Sequence, residues 1–121
     1  MLYMLLIYGP PSGPLDEEKL KRHYELAEQA REAGVYVVAE ALRRVDDAKT
    51  VRNDEGGIVT DGPFAETKEV LGGFYLLDCK DFDEAVSYAR QIPTKSVEIR
   101  PVALVPGWRY DIAPDRERVP R

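Results

Sequence analysis

The sequence predicts an α+β domain with one antiparallel sheet and two helices. Three observations lead to this prediction. Several apolar runs have strand length, two longer segments lack glycine and proline, and the order strand, helix, strand recurs on either side of a short hairpin. With 121 residues, of which 44% are hydrophobic, the chain suffices for one domain with its own core.

The first two strands are predicted from apolar stretches. Residues 2–8 read LYMLLIY and are followed at 9–14 by GPPSGP, a cluster of strand-breaking residues. Residues 35–42 are rich in β-branched and aromatic side chains. Both stretches are therefore expected to be strands, with the first helix between them.

The first helix is predicted between Asp16 and Ala33. Asp16 is a favourable N-cap, and Gly34 is a favourable stop after the last turn. At about 100° per residue the apolar side chains share one side of the helix, with His23 in its middle. These side chains are Leu20, Tyr24, Leu26, Ala27 and Ala30. This side is expected to pack against the sheet.

The second half of the chain predicts a hairpin, a strand, a helix and a last strand. The predicted segments are 50–52 and 58–60 for the hairpin, 71–79 for the next strand and 97–105 for the last strand. Asp81 followed by Glu84 is close to a capping box for the second helix, which Pro93 ends. Pro101 interrupts the last strand and is expected at a sheet edge or a bulge.

The predicted order is β-α-β, an inserted hairpin, then β-α-β. This is the plan of a ferredoxin-like subunit with both helices on one face of the sheet. The strands at 2–8 and 71–79 are apolar on both faces, so the helices leave one apolar face uncovered. We therefore predict a homodimer in which two subunits stack sheet against sheet. A cavity is expected between the sheet faces or beneath the helices.

Charge and composition disfavour several classes of partner. Charged residues make up 32% of the chain and the net charge is −5, which disfavours binding to nucleic acid or to an anionic membrane. Residues 2–8 are too few to span a bilayer and lack the flanks of a signal peptide, so a cytoplasmic location is expected. The single cysteine, Cys79, ends an apolar strand and is predicted to be a buried structural thiol rather than a reactive one.

The segment 61–64, Asp-Gly-Pro-Phe, allows two interpretations. In a turn, the Asp side chain accepts a hydrogen bond from the nearby backbone, Gly permits a positive φ, and Pro fixes the next φ. Phe is then expected to re-enter the core. The charged run at 65–69 exceeds what a turn needs, so we interpret the segment as both a turn and the rim of a pocket. Gly72 and Gly73 in the next strand indicate a bulge, or a close approach of another backbone or a ligand.

His23 is the candidate for acid or base chemistry, because it is the only histidine and titrates near neutral pH in its ordinary state. The alternative is a core histidine hydrogen-bonded to a tyrosine or a backbone carbonyl. Glu40 lies in an apolar strand, where a half-buried carboxylate needs a partner such as His23, Lys68 or a ligand. Strand tyrosines such as Tyr75 either point a hydroxyl into a cavity or simply pack.

The sequence predicts neither a metal centre nor a cofactor. No cluster of cysteine or histidine accompanies His23, so a structural zinc site is not expected. A carboxylate-rich site with Glu40 and Asp61 is the remaining option for a metal ion. The stretch GPFAETKEVLGG lacks the Gly-Lys-Ser/Thr ending of a phosphate loop.

Three stretches, YMLLIYG at 3–9, DGPFAETKE at 61–69 and GGFYLLD at 72–78, resemble the YCII-related superfamily, and specifically its DGPF-domain branch. The resemblance covers about residues 3–102. It implies a ferredoxin-like subunit that forms a dimeric α+β barrel in a bacterial protein. It also implies an accessory or regulatory role beside extracytoplasmic-function sigma factors.

In the other YCII-like branch, a helix histidine and a later aspartate are proposed as a catalytic pair. His23, eleven residues before Gly34, matches the place of that histidine, whereas the place of the aspartate falls near Ile92. Asp61 would therefore have to supply the carboxylate from a different element. The DGPF branch usually carries Gly-Glu-Gly-Leu on its second strand. The stretch 39–42 keeps the acid and loses both glycines, which predicts a narrower pocket.

Residues 1–105 are predicted as the α+β domain and 106–121 as a C-terminal tail. We expect a homodimer that binds a small molecule in an internal cleft. His23 and Asp61 are the candidate catalytic residues. The candidate ligand-binding residues are Glu40, Lys68, Glu69 and Tyr75. Whether the protein is an enzyme stays open here. The alternative is a non-catalytic partner of a sigma factor that uses the tail from Gly107 onward. A third interpretation, a cofactor-free oxygenase, rests only on analogy with other dimeric α+β barrels.

Overall fold

A computed structural model of the chain describes residues 1–11, 16–65 and 67–108. Within these ranges the chain forms six strands and two α-helices. Their bounds are Leu2–Gly9 (β1), Glu17–Glu32 (α1), Tyr36–Ala41 (β2), Lys49–Arg52 (β3), Ile58–Asp61 (β4), Val70–Asp78 (β5), Phe82–Ala89 (α2) and Ser96–Pro101 (β6). All the predicted helices and strands are present.

The main sheet has four strands in the order β2, β5, β1, β6, counted over the described chain. Each neighbouring pair in it is antiparallel. β3 and β4 form a separate antiparallel hairpin between β2 and β5. With α1 after β1 and α2 after β5, this is the ferredoxin-like order, so the predicted α+β fold class is confirmed.

Local sequence explains where both helices begin. The Asp16 carboxylate accepts a hydrogen bond from the Lys19 amide at 2.8 Å, and the Asp81 carboxylate accepts one from the Glu84 amide at 2.9 Å. The Glu84 carboxylate in turn accepts from the Lys80 amide at 2.8 Å. Such caps satisfy amides that a helix leaves without partners, and each contributes about 1 kcal/mol. The predicted capping residues are confirmed.

The main core lies between the helices and one face of the sheet. Its buried side chains include Tyr3, Leu5, Tyr75 and Leu77 from the strands and Leu26, Ala30, Ala85 and Tyr88 from the helices. Cys79 belongs to the same cluster, as predicted, and burial, together with Glu84 and Asp78, raises the pKa of its thiol to about 12. Because the thiolate is the reactive form, this cysteine is chemically inert near neutral pH.

The opposite face of the sheet carries a second, smaller apolar cluster. It consists of buried Leu2 and Leu76 with partly buried Met4, Val37, Val38 and Val102 around them. Among the residues described, those of α1 and α2 occur only in the first cluster. The sheet is therefore apolar on both faces, and the dimer inferred from this pattern remains a prediction.

The buried side of α1 differs from the expected one. Leu20 and Tyr24 are exposed, Tyr24 to 67%. The residues that pack are Leu26, Ala27 and Ala30, with His23 half-buried on the same stripe. Tyr24 lies about 100° around the helix from His23, which takes it off this stripe.

Two elements end earlier than expected. β6 ends at Pro101 rather than at 105, and just beyond it the Val102 amide still donates to the Leu2 carbonyl at 2.9 Å. It is an edge strand, as Pro101 predicted. α2 ends at Ala89. Turns continue up to Pro93, in which the backbone amides of Gln91 and Ile92 donate hydrogen bonds to the carbonyls of Tyr88 and Ala89.

Candidate functional site

The turn at residues 61–64 takes the chain out of the hairpin. Gly62 has a φ of 98°, in the left-handed region that glycine tolerates, as predicted. Its amide donates to the Ala48 carbonyl at 2.8 Å, and its carbonyl accepts from the Thr50 hydroxyl at 2.9 Å. The turn is therefore fastened to β3 and to the residue that precedes it.

Phe64, at the end of this turn, is 77% exposed, so the expectation that it re-enters the core is wrong. The reason is that the turn is tied to the hairpin, which pairs outside the main sheet. The Arg52 guanidinium lies over the Phe64 ring, 5.6 Å from its centroid. Such a contact contributes about 0.5–1 kcal/mol at an exposed site. It holds an aromatic ring in place at the surface.

A cleft of about 760 Å³ opens beside Phe64. Its walls are the loop 42–48 after β2 and residues 63–65 and 67–71 before and at the start of β5, and Tyr8 of β1 also borders it. Apolar lining side chains include Leu42, Val45, Pro63, Phe64, Val70 and Leu71. The volume falls in the range of small-molecule sites, about 300–1,000 Å³. Hereafter this feature is called the DGPF cleft.

The arginines that line the DGPF cleft are already paired with acids. Arg43 Nε lies 3.0 Å from Asp47 Oδ2, and Arg44 Nε lies 3.5 Å from Asp46 Oδ2. Glu69 also lines the cleft and is half-buried. Within the described part of the chain, its carboxylate has no ion-pair partner. The cleft therefore combines two compensated cations with an uncompensated acid.

Gly72 and Gly73 shape the end of β5 that borders the cleft. The register of β5 with β1 skips Gly72 between Gly73 and Leu71, which makes Gly72 the extra residue of a bulge. A Cβ on Gly73 would lie 2.8 Å from the carbonyl oxygen of Glu40. The predicted bulge and the predicted close approach of another backbone are both confirmed.

His23 lies outside the DGPF cleft, on the side of α1 that faces the sheet. Its Nδ1 is 2.7 Å from the Tyr75 hydroxyl, and the two rings stack with an interplanar angle of 13°. Burial, assisted by Arg22, lowers the pKa of His23. Burial, assisted by Tyr36, raises the pKa of Tyr75 to about 12. Both rings are therefore neutral near pH 7, the arrangement of a core histidine bonded to a tyrosine.

Asp61, the predicted carboxylate partner of His23, lies on the hairpin. Its carboxylate accepts from the Lys49 ammonium at 2.7 Å, and the contact is largely exposed to water. The observed partner of His23 is Tyr75, which belongs to β5. A hydroxyl thus occupies the place where the sequence predicted a carboxylate.

The predicted ligand-binding residues lie in three separate places. Glu69 lines the DGPF cleft, and Lys68 is exposed in the loop beside it. Tyr75 is buried against α1. Glu40 pairs in register with Phe74, so its side chain lies on the opposite face of the sheet from Tyr75. It is exposed, so the expected half-buried carboxylate is wrong.

The loop between β2 and β3 contributes cleft residues that were not predicted. Leu42, Arg43 and Arg44 line the cleft, although none of them was a candidate site residue. The signal was an arginine doublet directly after a predicted strand, since binding residues often lie on loops positioned by a rigid scaffold.

Two features are absent from the part of the chain that the structure describes. None of its helices is long and apolar enough to cross a membrane. No three His, Cys, Asp or Glu side chains in it come together as a group that could hold a metal ion.

The fold and the loop-lined cleft define a ferredoxin-like α+β protein with a candidate small-molecule site. A family model of the YCII-related domain matches residues 1–105. The chain is also 40% identical over 116 residues to an uncharacterized protein of Rhizobium meliloti (strain 1021), a match that covers 86% of this chain and 94% of that protein. The chain therefore belongs to the YCII-related family. Its assignment to the DGPF branch stays a prediction.

Proposed function

We propose that the protein binds a small molecule in the DGPF cleft. The observation that carries this proposal is the exposure of large apolar side chains there. Leu42, Phe64 and Leu71 are 48%, 77% and 37% exposed, and all three line the cleft. A ligand would remove this surface from water, which contributes about 25 cal/mol per Å² of apolar area. This cleft lies between loops, not between the sheet faces or beneath the helices, and the cavity expected there stays a prediction.

We further propose that the protein acts as a homodimer through the second apolar cluster. Around buried Leu2 and Leu76, the side chains of Met4, Leu6 and Phe74 are only partly buried on the helix-free face. Stacking two such faces would cover them, as the helices cover the other face. Light scattering should give the mass of two chains at micromolar concentration, and the mass of one chain would contradict the dimer.

Proton transfer at His23 is a second candidate function. The 2.7 Å contact between His23 Nδ1 and the Tyr75 hydroxyl favours it, because a neutral imidazole beside a phenol can accept a proton. In this arrangement Tyr75 orients the ring, and Asp61 acts only if the hairpin brings its carboxylate to α1. Catalysis that survives His23→Gln unchanged would end this candidate.

A non-catalytic partnership with a sigma factor is the alternative from another class. Trp108, near the end of the described chain, is 79% exposed, and exposed tryptophan is common at contact sites between proteins. Residues 109–121, the rest of the predicted tail, lie outside the described residues. Trp108→Ala should abolish sigma-factor binding and leave ligand binding in the DGPF cleft unchanged.

A fragment screen by NMR tests the small-molecule proposal. Bound fragments should shift the backbone amides of residues 42–48, 64–65 and 67–71. Ala65→Trp places a large side chain at the cleft and should abolish these shifts. Ala33→Trp is the matched control, because Ala33 is an exposed alanine that caps α1 away from the cleft. Fragments that bind only elsewhere, or equally well to Ala65→Trp, would contradict the proposal.

A further inference from the structure

We infer that the DGPF cleft takes a planar aromatic molecule that carries an amine, with its ring on Phe64 and its ammonium group paired with Glu69. The inference rests on the proposed function, because it assigns a class of ligand to the same cleft. Two independent features carry it: the way Phe64 is held, and the balance of charge along the lining.

Phe64 supplies a surface for stacking. The guanidinium of Arg52 contacts the ring, and Arg52 is not among the described residues that line the cleft. The ring itself lines the cleft and is largely exposed, so its remaining surface is open to a ligand. Aromatic rings in stacked or edge contact attract each other beyond what the burial of area provides. A planar aromatic ligand uses this surface better than a branched aliphatic one.

Glu69 supplies the charge. Arg43 is paired with Asp47 and Arg44 with Asp46, so the cationic side chains of the lining are compensated. Among the described lining residues, Glu69 is the charged one that lacks an ion-pair partner. An ammonium group would find a partner there without breaking an existing pair. An anionic ligand would face the Glu69 carboxylate and would have to compete for an arginine.

The cleft is large enough for such a ligand. Leu42, Val45 and Leu71 are among the residues that line a volume of about 760 Å³, which exceeds that of a bicyclic ring with a short amine arm. The amine must be an outer substituent, because Glu69 is half-buried rather than enclosed.

Three probes of matched size test this inference on the full chain: naphthalen-2-ylmethanamine, 2-naphthoate and the saturated bicyclic amine decahydronaphthalen-2-ylmethanamine. Affinity is measured by calorimetry and the site by backbone amide shifts. The naphthyl amine should bind in the cleft more tightly than either other probe. Glu69→Gln should weaken it by about fivefold, and Phe64→Leu by about threefold to tenfold. Glu28→Gln, which removes an exposed acid on α1, should change nothing.

The outcomes separate the inference from the proposed function. If 2-naphthoate binds in the cleft as tightly as the amine, or Glu69→Gln has no effect, the assigned class is wrong and the cleft remains a ligand site. If decahydronaphthalen-2-ylmethanamine binds as tightly as the naphthyl amine, stacking on Phe64 is refuted. If no probe and no fragment shifts the amides of 42–48, 64–65 or 67–71, both the inference and the proposed function are refuted.

Discussion

Tyr75 and Phe64 place aromatic rings in opposite surroundings. Tyr75 is 4% exposed, lies in β5 and bonds to His23 of α1, so regular elements hold it on both sides. Phe64 is 77% exposed, follows a hairpin, and is held by a guanidinium. The difference shows that the conspicuous polar pair of this protein is part of its core. The surface that we propose as the ligand site is built from loops.

The largest expected effect is a difference in the free energy of unfolding between variants of these two residues. Tyr75→Ala should lower the free energy of unfolding by about 3–5 kcal/mol, because it leaves a cavity in the main core. Phe64→Ala should lower it by about 1 kcal/mol or less, because the ring is 77% exposed and its contact with Arg52 contributes about 0.5–1 kcal/mol. Urea denaturation of both variants measures the difference.

The two variants should behave oppositely toward ligand. Phe64→Ala should fold normally and lose binding in the DGPF cleft, whereas Tyr75→Ala should lose stability first. Equal destabilisation by the two substitutions would mean that Phe64 is packed in solution, for example against a second subunit. That result would move the exposed ring from the ligand site to an interface.

A smaller effect is expected at the glycines that border the cleft. Gly73→Ala should cost about 1–3 kcal/mol of unfolding free energy, because its Cβ would lie 2.8 Å from the Glu40 carbonyl oxygen and β2 would have to move. Gly72→Ala is the matched control, since its Cβ would meet no atom closer than the Ile7 carbonyl oxygen at 3.9 Å. Thermal unfolding of both variants tests this, and equal costs would contradict the close approach.

The regular half of the comparison was predictable from sequence, and the loop half largely was not. Apolar periodicity, the caps at Asp16 and Asp81, and the paired glycines gave the helices, strands and bulge, because these signals act over a few neighbouring residues. The burial of Phe64 was predicted wrongly, because it depends on which sheet the hairpin joins. That pairing is a long-range feature of the fold, and the local turn residues do not determine it. The predicted ligand-binding residues lie in separate places for the same reason, since their proximity depends on long-range pairing.

Two neighbouring residues of β2 show what the sequence did not reveal, namely which face of the sheet carries the helices. Glu40 and Ala39 are neighbours in β2, and the alternation of side chains sends one toward Phe74 and the other toward Tyr75. Both faces of the sheet are apolar, so the sequence pattern alone did not say which face carries the helices. A shared apolar character therefore hid the fact that Glu40 and His23 lie on opposite sides.

The smallest expected effect is a pH dependence that belongs to His23. Burial lowers the pKa of His23 below its ordinary value of 6.5, so the unfolded chain binds this proton first as the pH falls. The stability from a neutral His23 is thus fully present above pH 6.5 and is lost as the pH falls from there toward the lowered pKa of the folded protein. Most carboxyl groups titrate lower, at about pH 4.

Urea unfolding between pH 7.5 and 5.5 should show this loss for the native protein and less of it for His23→Gln. As the only histidine, His23 also gives a single imidazole titration by NMR, expected below 6.5. Asp61→Asn should leave that titration unchanged, because the carboxylate of Asp61 pairs with Lys49 on the hairpin. A shift of the His23 pKa in Asp61→Asn would instead show that the two residues interact in solution. That outcome would restore the catalytic pairing and place the chemistry of this protein at α1 rather than in the DGPF cleft.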